Sequence, residues 1–536
     1  MKALARIAGA ARGLLGQAQT GRPTARSGYM TGGPNSFFWS WRPALRDSRD
    51  EVRTAWVPAA SRAIDAIHNS GWLAGAVDQV VASTVGPGLR LNARPDVTAL
   101  GWTPEEGSKW ARRVEKRFEA WANSPLECDA AGRDTLGKMT AKAFRSYLAT
   151  GEAVATLPWI ERAVSRTRTK VQQWQSHRLS QTTLGLNLFQ GVWMDRNGMP
   201  VGYRFRPAMY PGLSPEISVV EIDVPARDRQ GRPLVIHAYD GDIGHVRGIS
   251  PLTPALKVMR QFDQLADATL TAALIQAIFA ATVQSDAPTQ EVLDALQSKE
   301  EQDGKAEAPP GGSFDDLFGA RHSWYQNTKI DLGQFGKIAH MFPGDKLEFM
   351  RSEHPNGNYE AFAKFLLREV ARCLGVTFED FTGDYTGSSY ASINNATSIV
   401  WRVVEYRRAH VLVPFVQPIY ESWLEEDIDA GLTPFPGGLD GFLQHRAAAC
   451  QADWRGPPKP QSDLLKTAKA YDTLLGTGTV SRSAVCADQG TSYVDVAHEL
   501  ADEIALRKEL GLPEPDAQAA DDPLADKLVT EPEEKE

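Results

Sequence analysis

At 536 residues the chain is too long for one ordinary hydrophobic core and fits roughly two to four domains. Its 58 basic side chains are outweighed by 67 acidic ones, giving a net charge of −9, so it does not seek nucleic acid by bulk charge. It either avoids DNA or meets it through a local patch.

The first 30 residues carry Lys2, Arg6, Arg12, Arg22 and Arg26 and no acid, but Leu4, Ile7, Leu14 and Leu15 are diluted by Ala and Gly. Without a continuous apolar stretch this is a basic arm, residues 1–48, rather than a targeting peptide. Arg53 to Val85 reads as mostly helical and stops at Gly86-Pro87-Gly88. Thr103-Pro104-Glu105-Glu106 is a capping box with Pro at the first helical position, and it opens a helix with Trp110, Val114, Phe118 and Trp121 on one stripe. A further helix, Thr135 to Thr150, ends at Gly151.

From Ala153 to Tyr239 the period changes. Val192–Met194 and Val201–Phe205 flank Asp195-Arg196-Asn197-Gly198, a hairpin signal, and Leu234–Tyr239 reads as a strand. Pro251 to Val283 is a long Ala-rich helix (Ala266, Ala268, Ala272, Ala273, Ala277, Ala280, Ala281). Asp267, Thr269, Thr271, Gln276 and Thr282 interrupt its apolar run, so it is a buried or inter-subunit helix and not a membrane span. Gln284 to Pro355 is irregular around Ala308-Pro309-Pro310-Gly311-Gly312, and Asn358 to Leu374 is helical again. A long helix from Ala391 to Asp429 contains Pro414 and Pro418, which should kink or break it. Ser462–Leu475 and Ser481–Leu510 read as shorter helices, and the tail from Pro513, with nine acids against two lysines, as disordered.

Chemistry is sparse. There is no GxxxxGK[ST], HExxH, GxSxG or EF-hand loop. The ten histidines do not cluster, and Asp495 and His498 read as sharing a solvated helix face. Cys128, Cys373, Cys450 and Cys486 are scattered and read as reduced thiols. The expectation is a protein that is not an enzyme, with no cofactor and no metal. One constellation stands out: Lys364, Arg368 and Arg372, spaced i, i+4, i+8, with Phe362, Phe365, Leu366 and Val370 as the apolar side. It is either a solvated face or a rung of positive charge facing phosphate.

A series of motifs resembles the lambda-type portal family of tailed phages. It comprises Asn69–Asp78, Val85-Gly86-Pro87-Gly88-Leu89-Arg90-Leu91, Trp121–Asp129, Gly151-Glu152, His237 and Arg247-Gly248-Ile249-Ser250-Pro251-Leu252. It continues through Pro343-Gly344-Asp345, His354–Tyr359 and Leu374-Gly375-Val376 to Thr382-Gly383-Asp384 and Ser389-Tyr390-Ala391-Ser392. No single motif is diagnostic; their order across residues 50–510 carries the likeness. Ile393-Asn394-Asn395 departs from the arginine or alanine pair usual at that point.

The resemblance implies an α+β, mainly helical portal fold. The wing would be residues 49–250 and 396–461, stem helix one 251–283, the clip 284–355, stem helix two 356–376, the tunnel loop 377–395, the crown 462–512 and the acidic tail 513–536. Lys364, Arg368 and Arg372 would line a DNA channel, and Phe378, Phe381, Asp384, Tyr385, Gly387 and Ser388 would form the tunnel loop. The implied assembly is a dodecamer that ignores DNA sequence. It would meet the major capsid protein, the terminase large subunit and a head–tail adaptor at one capsid vertex of the virion, with no membrane partner, after synthesis in the bacterial cytoplasm. Weak cationic contacts would suit such a channel, because each neutralised phosphate adds drag. The alternatives are another virion structural protein, such as a capsid or tail-tube subunit, and a nucleic-acid enzyme with an unrecognised site.

Overall fold

The computed structural model describes residues 44–185, 187–206, 221–278, 282–285, 323, 345–348, 359–461 and 463–512. Nearly all of the basic arm, most of the expected clip and the acidic tail lie outside those residues.

Helix α1 (Ser48–Asn69) is capped by Asp47, whose carboxylate accepts from the Arg49 N–H at 3.0 Å. Its buried face is Val52, Trp56, Ala59, Ala60, Ala63 and Ile67. The chain then breaks at extended Ser70 and restarts as α2 (Gly71–Thr84), so the helical stretch read from Arg53 to Val85 is two helices. Strand β1 (Arg90–Ala93) leads to α3 (Pro104–Ala122). There the Thr103 hydroxyl accepts from the Glu106 N–H at 3.3 Å, and the Glu106 carboxylate accepts from the Thr103 N–H at 2.9 Å. The predicted stripe Trp110, Val114, Phe118 and Trp121 is buried. Helix α4 (Leu136–Thr150) ends where Gly151 turns left-handed at φ 91°.

Seven strands follow: β2 (Glu152–Thr156), β3 (Gln172–Trp174), β4 (Leu188–Phe189), β5 (Val192–Met194), β6 (Pro200–Phe205), β7 (Ile222–Pro225) and β8 (Val235–Tyr239). They form an antiparallel sheet in the order β3-β2-β8 and a second in the order β4-β5-β6-β7. The β5–β6 turn is where the sequence places it. The Asp195 carboxylate accepts from the Asn197 and Met199 N–H groups, both at 2.8 Å, and Gly198 takes φ 85°.

Helix α5 (Leu256–Ile278) follows a tight turn at Thr253–Ala255, and side by side with it lies α6 (Tyr359–Leu374). Between them β9 (Thr282–Ser285) and β10 (Asp345–Glu348) pair antiparallel, which brings the ends of the inserted segment together. After α6 come α7 (Phe378–Thr382), α8 (Tyr390–Arg407), a π turn at Arg408–Leu412 and α9 (Val413–Asp429). Pro414 follows the π turn at the start of α9 and Pro418 lies within the helix; the expected break does not occur, and the rod is continuous across both. Helix α10 (Gly438–Ala449) and β11 (Ala452–Arg455), which pairs with β1, complete this region. The chain ends in α11 (Leu464–Gly476), α12 (Arg482–Asp488) and α13 (Tyr493–Glu509). The last two replace the single helix expected from Ser481, divided at Gly490, where φ is 72°.

One apolar cluster joins α3, β2, α9 and α10 around Phe118, Tyr420 and Trp423. A second joins α2, α4, α5 and α6 around Phe144, Leu148 and Val370. Two adjacent arginines tie helix ends to these cores. Buried Arg407 donates to the Leu374 carbonyl at the end of α6 (2.6 Å), and Arg408 donates to the Ser83 and Thr84 carbonyls at the end of α2 (both 2.8 Å).

The two sheets and the start of α5 meet at a fully buried ion pair. The Arg247 Nε donates to both Glu152 carboxylate oxygens, at 3.1 and 2.8 Å, and Nη2 donates to the same carboxylate. The remaining guanidinium hydrogens go to the carbonyls of Ser176, Ser180 and Gln190. His237 Nε2 lies 2.9 Å from Glu152 Oε2, and Trp56 stacks on the guanidinium with its ring centroid 4.8 Å away. The backbones cross so closely that a Cβ on Gly151 would meet Ile249 backbone at 2.1 Å, and one on Gly248 would meet the Gly151 carbonyl at 2.0 Å. Gly151-Glu152, His237 and Arg247-Gly248 are thus parts of one knot.

Burial pushes the Glu152 carboxyl up, but Arg247 and the His237 hydrogen bond overcome this and bring its pKa from 4.5 down to about 2. A folded pKa below the unfolded one means that the stabilisation is complete above pH ~4.5 and is lost as pH falls towards 2. Arg247→Met should cost about 3–5 kcal/mol, because it strands a buried carboxylate. In denaturant titrations the stability gap between wild type and Glu152→Gln should narrow as pH drops from about 5 to 2. A gap that widens would contradict this account.

Candidate nucleic-acid interface

Helix α6 is built with two faces. Ala363, Leu366, Leu367, Val370, Ala371 and Leu374 are buried against α2, α4 and α5. Lys364, Arg368 and Arg372 fall within about 80° of the opposite circumference, and all three reach solvent. The structure therefore brings the predicted cations together on one stripe. It corrects the apolar side: Phe362 and Phe365 are 54% and 63% exposed and flank the cations. The 3.6-residue period places them beyond the buried arc that Leu366 and Val370 occupy.

The cations are not equivalent. Lys364 pairs with Glu360 at 2.7 Å and with Asp384 at 2.9 Å, and both contacts raise its pKa. Arg368 lies over the Phe378 ring, 4.9 Å from its centroid. Arg372 is exposed in the last turn of α6, where a cation suits the helix dipole.

The segment read as a loop, 377–395, is helical at both ends. Thr377 caps α7 by accepting from the Asp380 N–H at 3.0 Å, and a capping box of Ser389 with Ser392 starts α8. Only 383–389 is irregular. Gly383 and Gly387 have φ of 69° and 76°, the left-handed region where glycine carries no Cβ penalty. Asp384 is held well below the usual carboxylate range by hydrogen bonds from Thr386 and Lys364. The Tyr385 hydroxyl donates to Asp380 at 2.8 Å, and Ser388 Oγ lies 3.4 Å from Glu379.

Phe381, expected as bulk in the loop, is buried instead, with its ring stacked on Trp72 at 6.0 Å; Trp72 in turn meets Phe262 of α5 edge-on at 6.4 Å. Phe378 is half-buried beneath Arg368. The reason is α7: as one helical turn it directs both rings back to its own subunit, leaving Tyr385 as the exposed aromatic of the loop. Sequence reading missed the Lys364–Asp384 tie and the Trp72 support. Both join residues distant in sequence, and neither has a local signature.

Among the described residues no group of three or more His, Cys, Asp or Glu side chains is placed to hold a metal ion, and no helix is long and apolar enough to cross a membrane. What the site offers is a helix with three cations on one face and a short tethered loop beside it. A model of the family described as phage portal protein, lambda family, matches residues 36–408, and the chain belongs to that family. This favours a portal protein over a capsid or tail-tube subunit. The chain is similar to portal protein B of Escherichia phage lambda and to the portal protein of Escherichia phage N15. Each is 25% identical over 487 residues, 90% of both chains. Among solved structures it is similar to a chain of a native gene transfer agent virion (13% identity, TM-score 0.43, covering 83% of this chain and 99% of that one). An HK97-family portal protein from Corynebacterium diphtheriae gives 14% identity and a TM-score of 0.27, covering 68% of this chain and 89% of that one.

An ion pair at the surface contributes little to stability. Asp384→Asn should therefore leave the melting temperature nearly unchanged while loosening the loop. Chymotryptic cleavage after Tyr385, followed by mass spectrometry, should be faster in the variant. Equal rates would show that Lys364 does not hold the loop.

Proposed function

We propose that this chain is one subunit of a closed ring, a dodecamer, at one vertex of a phage capsid, through which double-stranded DNA is packaged and ejected. The observation that carries the reading is the row of half-buried Lys364 and exposed Arg368 and Arg372 on a helix anchored by its opposite face, in a chain whose net charge is −9. Positive charge is concentrated locally rather than spread, as suits a channel that meets phosphate and ignores sequence. Repetition around a ring gives many weak contacts and lets DNA slide. On this reading α5 and α6 are the stem, the segment between them is the clip, 383–389 is the working part of the tunnel loop and α11 to α13 form the crown. The clip meets the terminase large subunit and later a head–tail adaptor, the wing meets the major capsid protein, and the role is structural, not catalytic. Synthesis in the host cytoplasm fits the reading of the cysteines as reduced thiols.

Replacing Lys364, Arg368 and Arg372 together by Ala should leave rings near twelve times 58.7 kDa in mass photometry and lower the DNA packaged or retained per particle. Wild-type packaging and retention would sink the channel assignment. Deleting residues 384–388 should impair DNA retention more than assembly. Subunits that no longer assemble would argue against a tunnel-loop role.

A further inference from the structure

Helices α11 and α13 have no buried residue. On α13, Tyr493, Ala497, Leu500 and Ile504 recur at i, i+4, i+7, i+11 and fall within about 60° of the circumference. Leu500 and Ile504 are 52% and 56% exposed. A surface helix in a self-sufficient subunit turns such a stripe inward. Here the opposite side faces the subunit's own body. His498 Nε2 lies 2.5 Å from Arg112 of α3, and the Asp495 charge is felt by Glu115 of the same helix. That polar contact leaves Tyr493, Leu500 and Ile504 open to solvent, with Ala497 half-buried between them.

The first turns of α11 show a matching surface. Leu464 and Leu465 are 73% and 77% exposed, Ala468 is exposed, and Lys466 and Lys469 lie among them. The rest of α11 leans on α12, where the Tyr471 hydroxyl reaches Asp488 at 3.4 Å. No extended contact joins α11 to α13 within one subunit. Their charges are complementary: two lysines on the exposed start of α11, against Glu499 and Glu503, which lie to one side of the α13 stripe.

We infer that the apolar stripe of α13 in one subunit is covered by the N-terminal half of α11 from the neighbouring copy. Lys466 and Lys469 then face the acidic flank of α13 across the boundary. The contact is heterologous, since each subunit gives α11 on one side and α13 on the other, and repetition of such a contact closes a ring. This inference rests on the ring reading above and specifies which helices join at the crown.

The test is hydrogen–deuterium exchange on the full-length chain, comparing assembled rings with dissociated subunits, with assembly followed separately by mass photometry. In wild type, amides of 464–475 and 493–509 should become slower to exchange on assembly. Lys466→Glu with Lys469→Glu should lose that protection, and so should Glu499→Lys with Glu503→Lys. All four changes together should restore it. These positions are exposed, so circular dichroism of the dissociated subunit should be unchanged throughout. Rings that form without protecting either helix overturn the pairing and leave the ring reading standing. Protection in wild type without recovery in the fourfold variant means that something other than α11 covers the stripe, and also overturns it. A chain that stays monomeric at assembly concentrations overturns the ring reading and the pairing together.

Discussion

The buried pair of Arg247 with Glu152 is the constraint on which the rest of the described structure is arranged. Two charges taken out of water are tolerated only when every remaining donor and lone pair is satisfied. Here that requirement recruits His237 from β8 and the carbonyls of Ser176, Ser180 and Gln190, with Trp56 of α1 over the guanidinium. Segments far apart in sequence are held to one geometry because none can move without exposing an unpaired charge. Gly151 and Gly248 follow from it: the chains that bring the acid and the base together cross too closely for any side chain. Two residues later the backbone reaches Ser250, whose hydroxyl donates to the Leu148 carbonyl at 2.7 Å, and α5 begins soon after. The direction in which α5 leaves the sheets is therefore set by electrostatics as well as by packing.

The exposed charges play by different rules. Lys364 and Asp384 are linked in water, where their attraction is small and screened. A contact of that strength cannot organise a fold, but it can hold a short loop and yield to a competing anion. The same molecule thus spends charge in two regimes, one rigid and one replaceable, and keeps them in separate elements.

Much of the architecture was legible because local chemistry dictates it. The Thr103 capping box, the Gly151 stop, the Asn-Gly turn after β5 and the helix–insert–helix order around α5 and α6 all have signals within a few residues. So did the cationic row, since helical spacing alone places Lys364, Arg368 and Arg372 on one face. What escaped depends on tertiary context. The burial of Phe381 needs Trp72 more than 300 residues earlier in the chain, and the tie from Lys364 to Asp384 needs the path of the loop. Two helix breaks, at Ser70 and Gly490, fell inside stretches whose hydrophobic period continues across them.

The π turn at Arg408–Leu412 has a consequence for how this protein can change over time. A π turn holds one residue more than an α turn, which rotates everything downstream by about 100° without interrupting the rod. Upstream, Arg402 and Tyr406 face solvent; downstream, Phe415 to Ile428 is almost wholly buried. Arg407 and Arg408 sit at the seam and clamp the ends of α6 and α2. Each half of the rod can therefore keep its own angular register. A lineage could recut the outward surface of the upstream half, insertions and all, while the downstream half goes on fitting the same socket.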